Sequence, residues 1–129
     1  MAEKTLRDAI ADHLIAHCTS FNGFYQPGLA NKSTTRPFGV IRIGPQREDE
    51  QGIGIITTVQ IAVHTDNLDD LNVLDALVKQ VRDEMDEVDV ACGNSLWVTP
   101  HFTGVTSEYP DDDRGTVMRL MEFEVVTAR

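Results

Sequence analysis

The chain has 129 residues, the length of one ordinary domain, and its 41% hydrophobic content without low-complexity tracts excludes intrinsic disorder. Twenty-one acidic against 11 basic residues give a formal net charge of −10, which works against gripping a phosphate backbone, because that grip rests on Lys and Arg. No stretch approaches the roughly 20 apolar residues of a membrane span, residues 2 to 8 are too polar to begin a signal peptide, and Cys18 and Cys92 read as two free thiols of an intracellularly assembled protein.

Thr5 followed three residues later by Asp8 makes a capping-box pattern, with Asp in place of the usual Glu. Behind it Leu6, Ile10, Leu14 and His17 fall at helical spacing, with Ala9 and His13 on the same side, so a first helix is expected from Thr5 to Cys18. From Thr19 to Arg36 no period is sustained, and Asn22-Gly23, Pro27-Gly28 and the polar run from Asn31 to Thr35 are turn chemistry. Phe21, Phe24, Tyr25 and Leu29 nevertheless stand in this loop. Four large apolar side chains there imply a packing segment, seated either on the chain's own core or on a partner.

Pro37 opens a short strand, Phe38 to Ile43, closed by Gly44-Pro45. The next segment, QREDEQ from Gln46 to Gln51, is too polar for a core and is expected to form a hairpin tip. Ile53, Ile55, Val59, Ile61 and Val63 then alternate with Gly54, Thr58, Gln60 and His64, the pattern of a long half-buried strand. Asp66 and Asn67 are N-cap candidates for a second helix, whose apolar stripe is Leu71, Leu74, Leu77, Val78, Val81, Met85 and Val88. Gly93-Asn94 leads into an extended run through Leu96, Val98, Phe102 and Val105 with Trp97 on the alternate face, and Pro100 within it marks an edge or a bulge. A turn from Pro110 to Gly115 precedes a last strand, Thr116 to Thr127, with Val117, Met121, Phe123 and Val125 on one face. Arg119 shares that face and needs an acidic partner or an exit to water. Met118 and Leu120 lie on the other, which suggests contact beyond the monomer. The expected order is α-β-β-α-β-β over one domain, residues 1–129: an α+β two-layer sandwich with a four-stranded antiparallel sheet packed by two helices.

Motifs of catalysis and cofactor binding are absent from the sequence. His13 and His17 share a helix face, but Leu14 occupies the position where a zinc helix of this spacing carries Glu, and a histidine near a helix C-terminus also suits the dipole. Asp111-Asp112-Asp113 lacks the alternating acids, central Gly and distal Glu of a calcium loop, and reads as a solvated turn. There is no Gly-x-Ser-x-Gly elbow, phosphate loop or dinucleotide fingerprint, and nothing pairs Cys92 with His64 or His101. No catalytic residue, metal or cofactor is therefore expected, and no enzymatic activity. The features left are surfaces: two charged hairpin tips, an aromatic loop and a Pro-marked edge strand, which fit a protein that meets neighbours head to tail.

Laid end to end, the segments LRDAIADHLIAH, RPFGVIRIG, GIGIITTVQIAVHTDN, LDDLNVLDALVKQVRDEM and TVMRLMEFEVVT resemble the tail terminator (tail-completion) proteins of long-tailed bacteriophages. The resemblance spans nearly the whole chain and is one of element order and texture, without a diagnostic motif. It implies a virion protein, made in the host cytoplasm, that forms a ring of usually six subunits capping the tail tube. Its partners would be further copies of itself, the tail tube protein and a neck or head-completion protein, with no membrane. DNA would pass through the ring without specific binding, and the acidic surface either keeps that path non-adhesive or only keeps the protein soluble. Candidate subunit or tube contacts are Arg47, Glu48, Asp49 and Glu50 on one tip and Asp111, Asp112, Asp113 and Arg114 on the other; Phe21, Phe24, Tyr25 and Leu29 form the candidate packing loop. A head-tail connector is the alternative in the same class. A small cytosolic binding module or enzyme, with the loop from Thr19 to Arg36 as a pocket wall, is the alternative in another.

Overall fold

The computed structural model describes residues 5–31, 33–48, 51–52, 54–66, 71–93 and 96–128. The first helix, α1 (Leu6–His17), starts where its capping pattern places it: the Asp8 N–H donates to Thr5 Oγ1 at 3.2 Å. Its last turn closes through Cys18 N–H on the Leu14 carbonyl at 2.7 Å. Ala9, Ile10 and Leu14 are its buried face. The second helix, α2 (Leu71–Met85), buries Leu74, Leu77, Val78, Val81 and Met85. The stripe is shorter than its periodicity suggests, since Leu71 is 43% exposed and Val88 lies beyond the helix end. Asp66 ends a strand, and Asn67 lies outside the described residues.

The strands are β1 (Phe24–Tyr25), β2 (Phe38–Glu48), β3 (Gly54–Asp66), β4 (Val90–Ala91), β5 (Trp97–Val98), β6 (His101–Val105), β7 (Tyr109–Asp111) and β8 (Thr116–Ala128). One sheet runs β1-β2-β3-β8-β6, with β7 also on β8, and β4 with β5 makes a separate ribbon. The β1–β2 pair is parallel and the rest are antiparallel.

The expected four-stranded antiparallel sheet in the order α-β-β-α-β-β is thus overturned: the sheet is mixed and six-stranded, and a second sheet of two strands stands beside it. Three local causes account for the difference. Phe24 and Tyr25 sit in a loop without periodicity, yet Gly39 has no side chain to hold the Phe24 ring away, so this dipeptide lies along β2. The extended run from Leu96 to Val105 is divided at Pro100, which has no N–H for a ladder, so β5 turns back on β4 and only β6 joins the main sheet. Pro110 and Asp111, expected in the turn, pair with β8 together with Tyr109 because Gly115 at φ 67 closes a tight reversal behind them.

The polar segment after Pro45 is also corrected. A bulge between Ile43 and Gln46 restores pairing, and Gln46, Arg47 and Glu48 lie opposite Thr57, Ile56 and Ile55 as strand instead of forming the tip.

Both helices cover the same face of the sheet. Their core takes in Ile41, Val59, Ile61, Val63, Met121, Phe123 and Val125, with Val90 and Val98 of the ribbon. Arg119, on this face, finds the acidic partner its position requires, Asp75 of α2 at 3.1 Å. The opposite face carries a smaller cluster of Ala30, Phe38, Val40 and Ala62, against which Tyr25, Met118 and Leu120 pack. The apolar pair on the second face of β8 is therefore partly covered by the chain itself.

Candidate functional site: a groove on the outer face of the sheet

The face away from the helices is a grid set by strand register. Phe38, His64 and Met118 stand in one row; Val40, Ala62 and Leu120 in the next; Arg42, Gln60 and Glu122 in the third. A side chain as small as Ala62 between Val40 and Leu120 leaves the centre of the grid low, and a cavity of about 230 Å³ opens over it. Pro27 from the loop and Tyr109, Asp111 and Arg114 from the β7–β8 hairpin make its walls.

His64 is 1% exposed and forms part of the lining. Its ring stacks on Phe38 with centroids 4.6 Å apart, and Nδ1 is 2.8 Å from Thr116 Oγ1. Nε2 makes no hydrogen bond among the described residues. Burial, with Arg114 and Arg36 adding repulsion and Asp111 partly offsetting them, lowers its pKa from 6.5 to about 4, so the imidazole is neutral at physiological pH.

Beside it Asp111 and Arg114 pair at 2.8 Å, with side chains 14% and 26% exposed. Burial pushes the Asp111 carboxyl up, but the hydrogen bond and charge of Arg114 outweigh it and hold the group below its ordinary value. Arg114 Nε donates to the Ala30 carbonyl at 3.2 Å, while the Arg36 guanidinium donates to the Arg114 carbonyl. These bonds fasten the loop to the hairpin and fix both walls. At the far side of the groove Gln60 donates to Glu122 at 3.4 Å, and Arg47 reaches Glu124 at 3.3 Å. Arg42, on the rim, is exposed and has no ion pair or hydrogen bond among the described residues.

The predicted contact residues divide accordingly. Asp111 and Arg114 face each other within the wall, whereas Asp112 and Asp113 are exposed at the turn. Arg47 and Glu48 are exposed on β2, and Asp49 and Glu50 lie outside the described residues. In the packing loop, Phe21 and Phe24 meet tilted by 32° with centroids 4.7 Å apart against the helix-side core, and Tyr25 meets Phe38 edge-on at 6.1 Å on the outer face. Leu29 remains 60% exposed. The loop thus wraps one edge of the sheet and touches both layers.

The histidine pair of α1 is tied to backbone. His13 Nε2 donates to the Glu84 carbonyl at 2.7 Å and His17 Nδ1 to the His13 carbonyl at 2.8 Å, with ring centroids 4.4 Å apart. Among the described residues no group of three or more His, Cys, Asp or Glu side chains has the arrangement of a metal site, and no helix is long and apolar enough to cross a membrane.

Sequence reasoning missed the groove, although its parts were visible. Small Ala62 lies on the outward parity of β3 with Gln60 and His64, and Met118 and Leu120 have the same parity on β8. Nothing in the order of residues announced that Arg36 and Arg114 would join. No protein-family model matches the chain, and no curated protein matches it significantly.

Proposed function

We propose that the chain is a self-assembling structural subunit of the tail-terminator kind, forming a ring that caps a tail tube and offers a docking face to neck proteins. The observation that carries this reading is the one-sided cover of the sheet. Both helices lie on one face, while the other keeps an open groove floored by apolar side chains and flanked by Tyr109, 41% exposed. Apolar surface left open in this way, rimmed by charge, is the mark of a contact between proteins. The edge of the sheet adds to it. The β1 strand pairs only with Gly39 and Val40, so from Ile41 to Glu48 the outer side of β2 carries no strand among the described residues. Surfaces that differ on the two sides of a subunit favour head-to-tail contacts, and these close into rings when the rotation allows.

The net charge of −10 fits a lumen through which DNA slides without adhering, since like charge on both sides keeps phosphates off the wall. It also sets a condition for assembly, because copies repel one another at low ionic strength. Light scattering across concentration and salt, with and without purified tail tubes, tests the reading. A mass of several subunits, appearing alone or on tubes, supports it; a monomer under every condition refutes it. Loss of tail-length control on deletion separates a terminator from a connector.

One observation favours a second reading. Pro27 places the loop as a wall of a cavity whose lining includes a buried imidazole, the arrangement expected of a small binding module. A persistent monomer whose His64 ring signals move on titration with small ligands would select it.

A further inference from the structure

We infer that the outer-face groove of one copy receives Trp97 of the next copy, a head-to-tail contact that rests on the assembly reading above. Trp97 is the chain's one tryptophan and is 58% exposed, with Leu96 beside it at 45%. Its place on the ribbon explains the exposure. Val90 and Val98 pair and point into the helix-side core, so their neighbours Ala91 and Trp97, also paired, face away from it. The ribbon's neighbouring residues bring carboxylates: by strand alternation Asp89 is on the same side as Ala91 and Trp97 and accepts from the Thr99 hydroxyl at 2.6 Å, and Glu87, 66% exposed, accepts from His101 at 2.5 Å. A large exposed aromatic on a ribbon anchored by Val90 and Val98 has the composition of an interface anchor.

Trp97 cannot fill the groove of its own chain. The ribbon packs in the helix-side layer, and the groove lies on the opposite face of the sheet. The occupant is therefore another copy, and the two patches are different surfaces, which makes the contact heterologous.

Three complementarities select this pairing. The first is size: a cavity of about 150 Å³ accepts a benzene ring, so the groove's approximately 230 Å³ has room for an indole. The second is the indole N–H, which requires an acceptor once buried. His64 Nε2 supplies one when Nδ1 carries the ring proton toward Thr116 Oγ1, and no described residue occupies that nitrogen. The third is charge. Arg42 stands on the rim without an ion pair among the described residues, and the carboxylates of Asp89 and Glu87 travel with Trp97.

Because there is a single tryptophan, its fluorescence reports the contact directly. On assembly the emission is expected to shift to the blue and acrylamide quenching to fall at least threefold. Trp97→Ala, and separately the exposed charge reversal Arg42→Glu, should each raise the concentration needed for assembly tenfold or more. Mixing the two variants is the decisive arm. Arg42→Glu keeps its Trp97 and Trp97→Ala keeps its groove, so the mixture should form one-to-one dimers that neither variant forms alone. Assembly in which Trp97 stays fully quenchable, or which Trp97→Ala leaves unchanged, overturns the pairing and leaves the ring intact. A chain that remains monomeric at all concentrations and salts, and with tubes, overturns both.

Discussion

Acidification should weaken the fold through His64, by an amount that the structure allows to be worked out. The imidazole is 1% exposed and its pKa falls from 6.5 in the unfolded chain to about 4 in the fold. The sign follows from which state holds more protons. Between those two values the unfolded chain binds the proton and the native protein refuses it, so stability is full above pH 6.5 and is lost as pH falls toward 4. Integrating proton uptake between pH 8 and pH 4.5 gives a loss of about 2–3 kcal/mol from this one group. Against a total stability of roughly 5–15 kcal/mol that is a large share. Urea titrations at the two pH values, on the native protein and on His64→Gln, isolate it. The glutamine variant loses the stack on Phe38 and is weaker at every pH, but its own fall on acidification should be smaller by about 2–3 kcal/mol, or roughly 1–2 M in urea midpoint. Carboxylates remote from His64 titrate in both proteins and cancel in the difference; Asp111, whose charge interacts with His64, contributes only a minor remainder. Equal pH dependence in the two would show that His64 is not held neutral in the fold, and the account of the groove's base would fail with it.

Three further outcomes test the packing. Val81→Asp puts a carboxylate at a fully buried position of α2, at a cost of at least about 4 kcal/mol, and should abolish the cooperative thermal transition seen by circular dichroism; a variant that melts normally would contradict the helix-on-sheet layer. Asp111→Asn leaves the Arg114 guanidinium without its anion and should cost about 1–2 kcal/mol in chemical denaturation, and a double-mutant cycle with Arg114→Met should recover most of it as coupling between the two positions. Cys18 is buried and its thiol is pushed up to about 12, by burial first and then by Glu84, so its reaction with a disulfide reagent at pH 8 should be about a hundredfold slower in the native protein than in urea.

What could be read in advance depended on how local the cause was. Both helices follow from spacing within a few residues, α1 also from its Thr5 cap, and Leu74, Val78 and Val81 behave as that spacing requires; the cap expected for α2 at Asp66 does not hold, since Asp66 ends a strand. The long central strand also follows, because alternation from Val59 to Val63 repeats a single rule, but it is not half-buried as expected: Ile61 to Thr65 are buried on both faces. The mixed topology does not. The parallel pairing of Phe24 and Tyr25 with β2 depends on Gly39, more than a dozen residues away, offering the space a ring needs. A dipeptide has no period, so no pattern in the loop could have revealed it. Pro100 marks an edge or a bulge in the sequence, but that the run divides there and its first part leaves the sheet is decided by Val90 and Val98 pairing over the core, a tertiary preference that the run itself does not carry.

The groove was hidden for a related reason, and its origin bears on what the protein does. Each row of its floor joins one residue from each of three strands, so concavity arises only when Ala62 falls between Val40 and Leu120 in register. Evolution of a self-contained fold would fill such a gap cheaply: Ala62→Val or a longer loop would bury Met118 and Leu120 outright. Instead the chain uses two arginines, Arg36 and Arg114, to brace the walls around the gap and leaves a third, Arg42, at its rim. Bracing an empty space stabilises the isolated subunit less than filling it, because close packing and apolar burial supply most of the energy of folding. The arrangement makes sense when the energy of filling is realised between subunits, where Trp97 is already held out on a ribbon anchored by Val90 and Val98. On this view Ala62→Leu should stabilise the monomer and abolish assembly together, a coupling of opposite signs that a merely imperfect core has no reason to produce.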